Sequence, residues 1–229
     1  MDSESRNLTD SEKGSELALE YQLRFSKQAA HRKQVWAELT RSFFQRYVGR
    51  DGAVLDLGCG WGEFINSIQA GVKYAIDLNP DAPKHLAPDV TFFHQDCSSA
   101  WPLEDNSLDV VFTSNFFEHL PSKEKLVSTV REAWRCLKPN ALLICMGPNI
   151  RYLANSYWDF LDHHLPLSDA SIEELALLCG FREVHVTKKF LPYTMARGNQ
   201  PPLLFVRWYL CWPVLWAVFG KQFLAFARK

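Results

Sequence analysis

An apolar run at Val54 to Leu57 breaks into three glycines within five residues, in the stretch VLDLGCGWGEF at 54–64. A strand that ends in this way turns tightly. The helix start that follows presents free N–H groups to a ligand at the carboxyl edge of a sheet. What comes after repeats the rhythm. Short apolar runs at 53–58, 73–80, 90–96, 107–115 and 141–147 read as strands, and 62–71 and 122–140 read as helices. The second helix opens at Ser122, carries Leu126, Val130, Trp134 and Leu137 on one face, and stops at Lys138-Pro139-Asn140. Strands alternating with helices predict an α/β chain with a mostly parallel sheet covered on both faces.

The flanks differ from this core. Residues 1–14 are polar and aperiodic and are expected to form a disordered tail. Residues 15–52 are helical in pattern, with Val35, Trp36, Leu39, Phe43 and Tyr47 on one stripe, and are expected to form an N-terminal lid. The domain proper is expected over 53–229. Its last third holds a capped helix at 168–181, strands at 182–191 and 221–229, and an apolar insertion at 200–219. Within that insertion, LLFVRWYLCWPVLWAVF at 203–219 contains Arg207 and Pro213. It falls short of the roughly 20 uncharged apolar residues of a spanning helix, so a span is rejected and a surface-bound role is kept open.

Composition removes further classes. A formal net charge of −1 argues against nucleic acid as the main partner. Six scattered cysteines without a C-x-x-C pair point to reduced thiols in a cytoplasmic protein, with neither a zinc site nor a disulfide frame. The polar, acidic first twenty residues do not read as a secretory signal. The glycines themselves do not match a dinucleotide fingerprint. Gly58 and Gly60 fit G-x-G-x-x-G, but Glu63 stands at the third position and would repel a pyrophosphate.

Five motifs in order, VLDLGCGWG, AIDLNP, QDCS, FTSNFFEHL and LKPNALLICMGPN, resemble the class I S-adenosylmethionine-dependent methyltransferase family over about residues 53–150. The resemblance implies a Rossmann-like, seven-stranded sheet whose last strand runs antiparallel between the fifth and sixth. It implies S-adenosylmethionine as cofactor and S-adenosylhomocysteine as product. The backbone of Gly58, Cys59, Gly60 and Gly62 would approach the methionine and sugar parts, and Asp56 would order the ammonium end. Asp77 would accept from the ribose hydroxyls, Leu78 would pack on the adenine, and Asp96 with the Cys97 N–H would meet the adenine edge. Asn115 and Phe116 would line the sulfonium side. Tyr21, Arg24 or Arg32 would reach from the lid to the methionine carboxylate or the acceptor.

Methyl transfer requires an acceptor held about 3 Å from the methyl, dry and aligned. A hydroxyl acceptor also needs a base. Glu118 and His119 in NFFEHL, and His163 and His164 in DFLDHHLPLS, are the candidates, His119, His163 and His164 being the leading catalytic ones. Asn149, Arg151, Tyr152 and Tyr157 lie in the region where the family builds its acceptor pocket. No metal is expected, because the histidine pair has no further ligands at useful sequence spacing. Ser114-Asn115-Phe116-Phe117 lacks the two prolines of enzymes that methylate the adenine amino group. A hydroxyl or carboxylate of a small molecule is therefore expected as acceptor.

From Arg182 onward eight Lys or Arg face a single acid, with aromatics interleaved. That suits a sugar or lipid-linked glycan, or a peripheral position at the inner face of a membrane. SNFFEHL, GPNIRY and GKQFLAFARK also resemble bacterial methyltransferases of polysaccharide and glycolipid assembly. The same apolar segment would equally serve a homodimer. A non-catalytic, S-adenosylmethionine-binding scaffold or membrane-surface module is the alternative function.

Overall fold

Seven strands make one sheet: β1 (Ala53–Leu57), β2 (Val72–Asp77), β3 (Val90–His94), β4 (Leu108–Ser114), β5 (Leu137–Pro148), β6 (Glu183–Thr187) and β7 (Gln222–Arg228). The computed structural model describes residues 10–153, 156–193 and 200–229. The strand order is β3-β2-β1-β4-β5-β7-β6. The first five strands pair in parallel, and β7 lies antiparallel between β5 and β6. This is the Rossmann-like arrangement expected from the motifs.

Alternation along the strands explains why both faces are covered. Leu55, Leu57, Val111, Leu143 and Cys145 point to one side, where α3 (Lys123–Cys136) and α5 (Asp169–Leu178) pack on them. Val54, Val110, Phe112, Ile144 and Met146 point to the other, beneath α2 (Ala29–Ser42) and α6 (Leu203–Cys211). A sheet buried on both faces needs such near-continuous apolar strands. Side-chain caps fix two of the helix starts. Ser122 accepts from the Lys125 N–H, and Ser168 and Ser171 form a reciprocal capping box.

Several boundaries depart from the sequence expectation. The helix α1 spans Asp10–Phe25, so it takes in part of the segment assigned to a tail, whose residues 1–9 lie outside the described ones. Residues 62–71 wind through turns instead of a regular helix. Asn66 ties this segment to the loop after β2, its amide donating to His85 O and its carbonyl accepting from the Ala87 N–H. The helix expected to run to 140 ends at Cys136, and Lys138-Pro139-Asn140 already belongs to β5, with Asn140 at φ +67°. The strand expected over 182–191 stops at Thr187.

A short helix α4 (Ile150–Leu153) follows β5. The apolar segment splits at Trp212-Pro213 into α6 and α7 (Pro213–Phe219), since Pro213 cannot extend the helix before it. Among the described residues, no helix is long and apolar enough to cross a membrane. On α6, Val206 and Leu210 turn inward at helical spacing, and the Tyr209 hydroxyl donates to Phe190 O. Leu204, Phe205 and Trp208 on its other side are exposed, as are Trp212, Val214, Val218 and Phe219.

The face beneath α2 is an aromatic cluster centred on Phe112. Its ring stacks on Phe64 at 3.6 Å between centroids and meets Trp36 and Phe44 edge-on. Phe112→Ala is expected to lower unfolding stability by about 3–5 kcal/mol, because so rigid a cluster collapses poorly onto a cavity. The midpoint of a urea titration measures it.

Candidate functional site

The carboxyl ends of β1, β2, β4 and β5 meet in one crevice. At its floor the chain leaving β1 folds back on β2, where the Gly58 and Cys59 N–H groups both donate to Ile76 O. Gly58, Gly60 and Gly62 all have positive φ, which side-chain-bearing residues rarely adopt. Each also faces a neighbour at close range. A Cβ would run into the Phe116 ring at Gly58 and a Leu86 methyl at Gly62, and would lie 2.5 Å from Tyr21 Oη at Gly60.

Tyr21 comes from α1, which packs over these glycines. Gly14, Tyr21, Arg24 and Phe25 recur at helical spacing on one face of it. Gly14 sits so near Leu78 that a Cβ would lie 2.8 Å from the Leu78 carbonyl oxygen. Tyr21 packs on Phe25 and Trp61. Arg32 of α2 lies 3.9 Å above the Phe25 ring and donates to Glu63 at 2.5 Å, so the acid that spoils the dinucleotide pattern anchors the first turn of α2.

The acidic residues at the strand ends have distinct settings. Asp77 is buried and accepts from the Gly60 and Asn79 N–H groups at 2.7 and 2.8 Å, one on each oxygen. Burial raises its pKa against those hydrogen bonds. Each carboxylate oxygen keeps a further lone pair. Asp56 is buried as well, and burial followed by the Glu63 charge pushes it well up. Asp96 accepts from the Ser98 N–H and hydroxyl and pairs with Lys125 at 3.2 Å. Burial opposes its charge, but those bonds outweigh it and lower the pKa. Cys97 is buried beside it. Asn115 takes φ +50° as β4 ends, with its amide on Ser114 Oγ, and this turn starts the segment that carries Glu118 and His119.

A second cluster forms where that segment meets the chain after β5. Glu118 O accepts from the His164 and Leu165 N–H groups at 2.8 and 3.1 Å. This backbone staple joins two stretches far apart in sequence and places His119 beside His163, with ring centroids 5.0 Å apart. The Glu118 side chain is 1% exposed, and among the described residues neither carboxylate oxygen has a hydrogen-bond partner. Its Oε1 lies 3.7 Å from His119 Nε2. Burial lifts Glu118 to about 7, against the charge of His119. His163 is buried with an unpartnered Nδ1, and burial followed by the charge of His119 pushes it down to about 4.

Asp162 organises the cluster. Arg24 donates to both of its oxygens at 2.8 and 2.6 Å, and His119 Nδ1 lies 3.0 Å from Oδ2. Burial opposes the Asp162 charge, but the hydrogen bonds from His119 and Arg24 hold it well below the usual carboxylate range. Glu20 lies near enough for Asp162 to raise its pKa, after the larger effect of burial.

Of the three histidines singled out in the sequence, His119 and His163 are brought together and His164 is exposed. Arg24, expected at the methionine carboxylate or the acceptor, is clamped to Asp162 beside His119. Asn149 and Tyr157 are committed to the scaffold. Asn149 donates to Asp169 and to Lys188 O, and the Tyr157 hydroxyl bridges Leu165 O and the Leu167 N–H. Arg151 is exposed, 3.5 Å from Asp169, and Tyr152 lies under the Lys189 ammonium. Sequence reasoning passed over Asp162 and Glu20. The acid directly before the histidine pair, and the four-residue step from Glu20 to Arg24, were the available signals.

Residues 55–145 match the family model described as a methyltransferase domain. An uncharacterized methyltransferase of Mycobacteroides abscessus is 34% identical over 105 residues, which make up 42% of this chain and 39% of that protein. The chain thus spans less than half the length of that curated relative. A crystal structure of an S-adenosylmethionine-dependent methyltransferase from Archaeoglobus fulgidus superposes with a TM-score of 0.63 at 22% identity, covering 86% of this chain and 94% of the other. The cyclase SpnF superposes with a TM-score of 0.60 at 17% identity, covering 96% of both chains. These two likenesses carry the fold.

Asp77→Asn is expected to weaken S-adenosylmethionine binding by about 10- to 100-fold, the equivalent of a lost hydrogen bond to a charged group. Isothermal calorimetry reads the affinity. A cooperative melt checks that the variant folds.

Proposed function

We propose that this chain, whose residues 55–145 match the methyltransferase-domain model, methylates a hydroxyl or carboxylate of a small molecule as a class I S-adenosylmethionine-dependent enzyme. The crevice fits the cofactor. The remaining lone pairs of Asp77 suit two ribose hydroxyls, and the side-chain-free positions at Gly58, Gly60 and Gly62 allow a ligand as close as Phe116, Tyr21 and Leu86 come. S-adenosylmethionine, when bound, supplies a methyl carbon made electrophilic by its sulfonium. Asp56 offers carboxyl oxygens toward an ammonium end, whose charge would favour its ionised form against burial.

The observation that carries the reading is the buried, unpartnered carboxylate of Glu118, flanked by His119 and His163. Leaving such a group without a partner costs about 1–3 kcal/mol, a cost that a ligand completing its hydrogen bonds removes. A hydroxyl sheds a proton as it is methylated, and Glu118 and the His163 imidazole are groups that can receive it. Asp162 holds the His119 ring in place, and Arg24 holds Asp162.

Tritiated methyl transfer to a panel of sugars, glycolipids, phenols and carboxylates tests this. Glu118→Gln and His163→Ala are each expected to lower kcat about 10²- to 10⁴-fold while S-adenosylhomocysteine still binds. A chain that binds the cofactor yet methylates nothing on the panel would favour the non-catalytic scaffold. A protein of this fold described as a cyclase makes that comparison necessary.

The exposed apolar face of α6 and α7 supports an amphipathic acceptor. Leu204, Phe205, Trp208, Trp212, Val214 and Phe219 are exposed, with Arg207 among them. A face of this kind fits the headgroup boundary of a bilayer, with a lipid-linked glycan as substrate and a cytoplasmic protein lying on the inner leaflet. Co-sedimentation with vesicles containing anionic lipid is expected for the native chain and reduced several-fold for a Trp208→Ser, Trp212→Ser double variant. Equal binding by both, or a stable dimer that removes the face from solvent, overturns the membrane position.

A further inference from the structure

We infer that Glu118, His119 and His163 form a site for one divalent transition-metal ion of zinc-like preference. The three side chains offer one ligand atom each, all within 4.8 Å of one another. Three ligands bonded at about 2.0–2.2 Å to a tetrahedral ion stand about 3.4 Å apart, so the widest pair in the cluster needs to close by up to about 1.4 Å. Among the described residues, both Glu118 oxygens and His163 Nδ1 are buried without a hydrogen bond. Two imidazoles with one carboxylate favour zinc, cobalt or nickel over magnesium or calcium, which take oxygen ligands.

The surroundings of His119 are those of a metal ligand. Its Nδ1 faces Asp162, 3.0 Å from the carboxylate and 3.1 Å from the backbone oxygen, which fixes the tautomer with the proton on Nδ1. The Nε2 lone pair is then left toward Glu118, 3.7 Å away. A carboxylate behind a ligating imidazole orients the ring and raises its basicity. Arg24 holds that carboxylate through two bonds. Gly147 leaves room beside Glu118, since a Cβ there would lie 3.5 Å from Oε2.

Three protein ligands leave a tetrahedral ion one open position. With a single carboxylate among them the ion keeps net positive charge, so a hydroxyl bound there gives up its proton more readily. This consequence rests on the acceptor site proposed above. The metal site itself does not.

The test uses the full chain, stripped with a chelator and titrated with Co2+ as a spectroscopic stand-in for Zn2+. The expected result is one Co2+ per chain with visible d–d absorption, displaced by Zn2+. Glu118→Gln and His163→Ala should abolish the bands or weaken affinity at least about 100-fold, and Asp162→Asn should weaken it about 10- to 100-fold. A cooperative melt identifies the variants that fold, and any one of the three suffices. Absence of stoichiometric Co2+, or bands unchanged in the folded variants, overturns the site. Full methyl transfer by the stripped chain would remove the metal from the reaction and leave the enzyme reading intact. Stoichiometric Co2+ without methyl transfer would do the reverse.

Discussion

The carboxylate of Asp162 is the point on which the carboxyl edge of the sheet depends. It is partly buried, and it holds its charge there because Arg24 meets it with two short bonds and His119 with a third. Paired, planar, charge-assisted bonds of this kind fix direction as well as distance. Through them the lid helix, the turn after β4 and the chain after β5 share one anchor. Glu118 can remain buried and unpartnered because its neighbours are held by others: its backbone carbonyl by His164 and Leu165, and its adjoining imidazole by Asp162.

Much of the fold was legible in the residues. Strands that are apolar on both faces, separated by helix patterns, led to the sheet, and the motif order led to the antiparallel β7 between β5 and β6. The stretch at 62–71 misled because its apolar spacing suits a helix, whereas its shape follows from Gly62 at positive φ and from the tethers of Asn66 to a distant loop. Propensity yields to such tertiary bonds. The 203–219 segment was rejected as a span for its length and charge, and Pro213 divides it in two.

The site divides in the same way. Asp56, Asp77 and Asp96 lie at successive strand ends, where a linear motif can place them. The Glu118 cluster depends on contacts across 43 residues, from His119 to Asp162, and on a backbone staple that no spacing rule encodes. The sequence reading weighed the histidine pair alone, so the grouping of Glu118 with His119 and His163 was not visible in it. Asn149 and Tyr157 sit where an acceptor pocket was expected, yet their polar atoms are engaged by Asp169, Lys188, Leu165 and Leu167. Position along the chain located the neighbourhood and hydrogen bonding assigned the roles.

The lid helix touches both halves of the crevice within three residues. Tyr21 rests against Gly60 on the cofactor side, and Arg24 grips Asp162 on the other. A helix turn is stiff over that distance, rising about 1.5 Å per residue with its hydrogen bonds intact. The two contacts therefore cannot be released independently. A ligand that lifts Tyr21 away from the glycines also pulls on Arg24, and through it on Asp162 and the ring of His119. The helix is a short lever with the glycine turn at one end and the histidine cluster at the other, so a displacement at one end is felt as a change of alignment at the other.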